Sequence, residues 1–198
     1  MKANKGIYSK VRVPQNRMVL AVLIMAGLGL GVAGSWAVMD TMIHATGDHE
    51  FCSSCHSHEP IGASYRESLH GGNNGAGWRA SCSQCHIPHD NALHYLWVKG
   101  VHGVVDPTME ILKDSYDIDW HGNRERREEY VYDSGCLSCH LYLEDTGQGN
   151  RKAFRAHRKY FKNSKKMSCV GCHENVGHAR LGYHLEAMGW QRDKGDQP

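Results

Sequence analysis

The sequence is short of the material that builds a globular interior. Only 40% of its 198 residues are hydrophobic, three are phenylalanine, and the mean hydropathy is −0.56. It has one long apolar run, residues 18–39, and a run that lies in lipid cannot also fill a core. No cysteine stands alone, which argues against an ordinary cytosolic enzyme with scattered thiols. The net charge of +2 does not give the uniformly basic surface of a nucleic-acid binder. Acids are missing from residues 1–17, which carry Lys2, Lys5, Lys10, Arg12 and Arg17, so residues 18–198 have 23 − 5 = 18 bases against 21 acids. The basic character belongs to the amino-terminal tail.

Met18 to Met39 has no charge, and as a helix it spans about 33 Å, enough to cross a bilayer core. The cations before it and Asp40 after it predict a cytoplasmic tail (1–17), a transmembrane helix (18–39) and an exported domain (40–198) in a single-pass protein of the bacterial inner membrane. A cleaved leader is the competing reading, with Ala33 and Ser35 as a small-x-small site, but the run continues beyond it through Trp36 to Met39.

The eight cysteines form four motifs: Cys52-Ser-Ser-Cys55-His56, Cys82-Ser-Gln-Cys85-His86, Cys136-Leu-Ser-Cys139-His140 and Cys169-Val-Gly-Cys172-His173. In each, two thiols suit thioether bonds to haem vinyl groups and the next histidine suits the iron. Zinc would be satisfied by the thiolates alone and disulfides by the thiols alone. Neither explains a histidine after every pair. With histidine at 15 of 198 positions, four of four by chance is about 3 in 100,000. Four covalent c-type haems also supply the missing interior. The expected fold is mostly α and irregular, wrapped around haem.

The motifs start 30, 54 and 33 residues apart, a pattern of two dihaem halves at about 40–105 and 125–185. His70 lies twelve residues before Cys82 and His157 twelve before Cys169, so both are expected as distal iron ligands. Glu59-Pro60 is expected to open a helix ending at His70, and Arg151 to Phe161 to form a second. His178 is a third distal candidate. His44, His49, His121 and His184 are expected at the surface.

With its basic tail, single amino-terminal helix, Phe51-Cys52, Cys85-His86-Ile87-Pro88 and Cys172-His173 followed by His178, the chain resembles the NapC/NirT family of membrane-anchored multihaem cytochromes c, which includes NrfH-type and CymA-type quinol dehydrogenases. The resemblance implies quinol oxidation and transfer of electrons to a periplasmic reductase or soluble cytochrome. It also implies a quinol pocket at Lys99 and Asp106 beside the first haem. The family often has methionine two residues after the first motif's histidine, where it binds the first iron; here that position is His58. Either His58 replaces it, or His56 binds conventionally.

Residues 92–105 are apolar but too short to span, which suits an interfacial segment with Tyr95 and Trp97 at the headgroups, or equally a helix buried against haem. Lys99, His102 and Asp106 would share one helical face, where quinol's protons need a base (Asp106) and its oxygen a hydrogen-bond donor (Lys99). Asp106-Pro107 also reads as the cap and first residue of a new helix. Eight cations and no acid lie between Asn150 and Met167. They suit either an acidic redox partner or the haem propionates, and the formal −3 of the domain favours the propionates. Residues 107–133 read as a solvated helical connector and 191–198 as a frayed tail. Two other functions stay open: a reductase of small nitrogen or sulfur oxides at an open haem, or a carrier without a quinol site. The pattern excludes a hydrolase or transferase, and leaves homo- or hetero-oligomers open.

Overall fold

A computed structural model describes residues 15–146, 149–163 and 166–191. Most of the basic tail, Lys165 and residues 192–198 of the expected frayed tail lie outside the described residues. Among the described residues there are eleven α-helices and three short 3-10 segments, and an isolated bridge between Gly71 and Arg79 is the only β pairing. The helices are α1 (Gln15–Ala45), α2 (His49–Cys52), α3 (Glu59–Glu67), α4 (Cys82–His86), α5 (Ala92–Leu112), α6 (Trp120–Glu125), α7 (Asp133–Cys139), α8 (Leu143–Thr146), α9 (Arg151–Lys162), α10 (Cys169–Cys172) and α11 (Leu181–Ala187). The expected mostly helical, irregular fold is what is found.

The chain divides into two compact units, residues 1–44 and 45–198. The first is α1, longer at both ends than the uncharged run, because nothing from Asp40 to His44 breaks a helix before Thr46-Gly47. Its 31 residues span about 46 Å, more than a bilayer core. Its apolar side chains, Leu30 and Val32 among them, are exposed, and its glycines at 27, 29, 31 and 34 have nothing against them within 4 Å.

Among the described residues, the second unit has a core of only seven hydrophobic residues: Tyr65, Ala80, Ile87, Tyr160, Val170, Leu185 and Trp190. Short polar links do much of the joining. Helix α11 packs on α3, Ser64 Oγ donates to the Ala179 carbonyl at 2.8 Å, and Arg180 pairs with Glu67 at 2.8 Å. Helix α7 packs on α4, where Tyr132 N–H donates to the Cys85 carbonyl at 3.0 Å. Gly135 makes this approach possible, since a β-carbon there would collide with the Gln84 carbonyl oxygen.

Several sequence expectations are corrected. Helix α3 ends at Glu67, with His70 in the turn beyond it, because Ser68 takes an extended conformation and its Oγ caps Gly71 N–H. Helix α9 forms as expected, opened by Asn150, whose side chain accepts from Lys152 and Ala153 N–H. The connector 107–133 is helical in pieces: its first residues end α5, and two 3-10 turns and α6 follow. Of the four histidines expected at the surface, His49, His121 and His184 are buried. His49 packs on Tyr65 at 5.4 Å, His121 Nε2 faces the Trp190 carbonyl at 3.1 Å, and His184 Nε2 lies 3.1 Å from Glu67.

Candidate functional site

Each cysteine motif starts on a short helix, and three of the four helices carry a side-chain cap. Asp48 caps α2, Ser81 and Gln84 form a reciprocal cap on α4, and Ser168 Oγ accepts from Gly171 N–H at the start of α10. Helix α7 carries the third motif. None of the eight thiols is in a disulfide. The motifs meet in twos: Cys52 is hydrogen-bonded to Cys82 and Cys136 to Cys169. The bond to its partner thiol, helped by burial, pushes Cys82, and likewise Cys169, far above the usual thiol range. The same contact repeated in the two motif pairs fits the spacing of the sequence repeat.

Three imidazole pairs stand at one common separation. Ring centres are 6.1 Å apart for His86 and His178, 6.2 Å for His70 and His140, and 6.3 Å for His157 and His173. A metal bonded at about 2 Å to a nitrogen of each of two imidazoles places the ring centres roughly 6 Å apart, so these donor sets fit a six-coordinate iron. His86 Nδ1–H donates to the Tyr130 carbonyl at 2.8 Å and His70 Nδ1–H to the Val176 carbonyl at 3.1 Å, which leaves Nε2 as the free donor in both rings. Burial, and then the neighbouring His86, lowers His178 to about 4, so its ring is neutral. Two of the three pairs join the first two motifs to the last two.

The first motif is arranged differently, and among the described residues it has no such imidazole pair. His56 is about half exposed, its Nε2 3.3 Å from the Tyr116 hydroxyl and its ring beside Trp190. His58 is turned inward against Trp120, and burial holds its basicity down. Its Nδ1 lies 2.9 Å from Ser57 Oγ. Ser57, 1% exposed, donates through Oγ to Glu110 at 2.5 Å and through N–H to the other carboxylate oxygen at 3.3 Å. Those two hydrogen bonds hold the Glu110 carboxyl below its usual range.

Glu110 belongs to α5, which runs unbroken through the stretch where a new helix was expected at Asp106. Its cap is Asn91, which accepts from His94 N–H, and Pro107 is inside the helix. Proline there removes the bond to the Gly103 carbonyl and presses its ring on that carbonyl, a cost the rest of this 21-residue helix carries. At 100° per residue, Lys99, His102, Asp106 and Glu110 fall within an arc of about 80°, and Leu93, Trp97, Val104 and Ile111 within about 40° on the opposite side. Those four apolar side chains are 69–81% exposed, and no residue of α5 is buried in the protein. Lys99 Nζ donates to the Thr46 carbonyl at 2.7 Å, and burial lowers its basicity. Asp106 lies 3.0 Å from His102 Nδ1. The Lys99 charge acts on Cys52 and the Asp106 charge on Cys52, Cys55 and His58, so both face the first motif. Sequence reasoning named Lys99 and Asp106 but not Ser57 and Glu110, which lie against the same motif. The signal for Glu110 was its place four residues after Asp106 on the same face.

Four covalent-attachment motifs on short helices, imidazoles spaced for iron and one apolar helix of spanning length define a membrane-anchored multihaem c-type cytochrome. The model of the NapC/NirT cytochrome c family, N-terminal region, matches residues 13–183, and the chain belongs to that family. The chain is 29% identical over 178 residues to the tetraheme c-type cytochrome CymA of Shewanella oneidensis, covering 83% of this chain and 93% of that protein. It is 27% identical over 186 residues to the cytochrome c-type protein NapC of Escherichia coli, covering 88% of each. The solved cytochrome c nitrite reductase NrfHA complex bound to the inhibitor HQNO contains a chain of similar fold, with TM-score 0.50 and 28% identity over 80% of this chain and 91% of that one.

Proposed function

We propose that the protein oxidises membrane quinol beside its first haem motif and passes the electrons to a periplasmic reductase or cytochrome. The observation that carries this is the convergence of Lys99 and Asp106, from one face of α5, on Cys52, with Asp106 also acting on His58. When bound, the four haems supply one-electron transfer. The protein's own residues handle everything else. Lys99 donates to a quinol oxygen and favours negative charge developing there. Asp106 takes the proton, and His102, 3.0 Å away, is placed to carry it outward. The exposed stripe Leu93, Trp97, Val104 and Ile111 lies in the membrane interface, so the opposite, polar face meets the quinol headgroup. This topology puts the amino terminus in the cytoplasm and residues 45–198 in the periplasm.

In the same reading His178 pairs with His86, His70 with His140 and His157 with His173 as axial ligands, and His58 replaces methionine at the first iron. Support for His58 is its inward ring, tethered at Nδ1, while Nε2 of His56 is engaged by Tyr116. His58→Met is expected to raise the first haem's potential and to add a methionine-to-iron charge-transfer band in magnetic circular dichroism. An unchanged spectrum would return the iron to His56. Glu110→Gln, which weakens the acceptor for Ser57, is expected to alter the same haem's electron paramagnetic resonance signal and leave the other three unchanged. The function itself is tested by menaquinol-driven haem reduction in liposomes. HQNO-sensitive reduction is expected; reduction by dithionite alone would leave a carrier without a quinol site.

A further inference from the structure

The strongest charged feature outside the quinol site is α9. Its twelve residues include six cations, Arg151, Lys152, Arg155, Arg158, Lys159 and Lys162, and no acid. All six are exposed, and no acid among the described residues pairs with them. At 100° per residue they fall within an arc of about 120°, and His157 stands almost opposite its centre. The other side carries His157, Tyr160 and Phe161 toward the domain, where Tyr160 is buried and its hydroxyl donates to Asp133 at 2.7 Å, while Phe154 lies under Arg158 at 5.5 Å. The cations thus stand across the helix from the ring that pairs with His173. That is a poor position for neutralising propionates of a haem held by His157, and a good one for meeting something from solvent.

We propose that the outer face of α9 docks an acidic redox protein, the acceptor of the electrons, over the haem of the fourth motif. Charge complementarity commits the occupant. The domain beyond the tail is formally −3, so six unpaired cations on one helix make a local positive field on an otherwise acidic body, which steers and orients an acidic partner. A partner seated there is about one helix diameter, roughly 10 Å, from His157. The proposal rests on the reading that His157 is an iron ligand, and that reading is tested separately: His157→Ala should convert one low-spin haem signal.

The full-length, haem-loaded protein is compared with the variant Arg155→Gln/Arg158→Gln/Lys159→Gln/Lys162→Gln. The potentiometric titration and menaquinol-driven reduction should be unchanged. Oxidation of the reduced protein by anionic hexacyanoferrate(III) should slow by about tenfold or more, in the variant and in wild type at high salt, while oxidation by cationic tris(phenanthroline)cobalt(III) should not slow. Poly-L-glutamate, standing in for an acidic protein face, should bind wild type at least about tenfold more tightly than the variant and block hexacyanoferrate oxidation of wild type alone. Shifted haem potentials with unchanged oxidation rates would assign the cations to the propionates and overturn the proposal. Loss of phosphatidylglycerol vesicle binding with poly-glutamate binding intact would assign them to lipid and overturn it too. Should the variant fail to load haem, Arg151→Gln/Arg155→Gln gives the same comparison at the exposed start of α9. If His157→Ala leaves every haem signal intact while the oxidation rates respond as expected, the docking face stands and the ligand reading fails.

Discussion

Asp106→Asn is expected to lower the rate of menaquinol-driven haem reduction by about a hundredfold or more, the range lost when a positioned general base is removed. The amide keeps the shape of the side chain and a contact with His102 but cannot accept the quinol proton. The loss should fall on the maximal rate, with little change in the quinol concentration needed for half of it. Dithionite should still reduce all four haems, because nothing in the motifs has changed. Lys99→Gln should instead weaken quinol binding as well as slow the reaction, since its ammonium contacts the ground state too. Burial lowers the Lys99 basicity, so its charge is lost at a lower pH than that of a free lysine, and activity should fall earlier on the alkaline side. Stopped-flow haem absorbance in liposomes over a pH series measures all three. A rate for Asp106→Asn within twofold of wild type would remove the residue from the site.

Gly135→Ala should have a large structural effect for a single added methyl group. The new β-carbon meets the Gln84 carbonyl oxygen, a backbone atom inside the second motif, so there is no flexible side chain to move aside. Overpacking of this sort costs about 1–3 kcal/mol, and here it also forces α7 off α4 and breaks the Tyr132 to Cys85 hydrogen bond between the second and third motifs. Thermal melting of the haem-loaded protein should show a clear drop, with electron equilibration among the haems slowed. Gly100→Ala is the control. It has nothing within 4 Å and sits inside α5, so it should leave stability unchanged or raise it by up to about 1 kcal/mol.

The parts of this protein legible in its sequence were those written in covalent or one-dimensional terms. Attachment motifs have fixed spacing, a spanning helix needs only an uncharged run, and Arg151 to Phe161 read as a helix leading to the fourth motif. The family match supports the reading of fold, cofactors and function. What was hidden depended on contacts made at a distance. His49, His121 and His184 read as surface residues because nothing local marks a histidine for burial; Tyr65, Trp190 and Glu67 bury or engage them from elsewhere in the chain. The extent of α5 was missed because Asp106-Pro107 is locally a good start for a helix, whereas the helix starts at the Asn91 cap and carries the cost of the proline in its interior. Ser57 is small and ordinary in sequence; only its contact with Glu110, 53 positions later, makes it part of the site.

The pairing of imidazoles across the chain bears on how such a protein is made. On the proposed ligand set, His86 waits for His178, about 90 residues downstream, and His140 is met by a histidine exported long before it. No amino-terminal fragment ending before the fourth motif holds a complete second site. If haem is attached to the second motif as it emerges, its iron keeps a labile position until the carboxy-terminal segment has crossed the membrane. The order of biogenesis is then covalent bond first, second imidazole last, and a truncation before His178 should yield a protein that carries its haems yet binds carbon monoxide at the second of them.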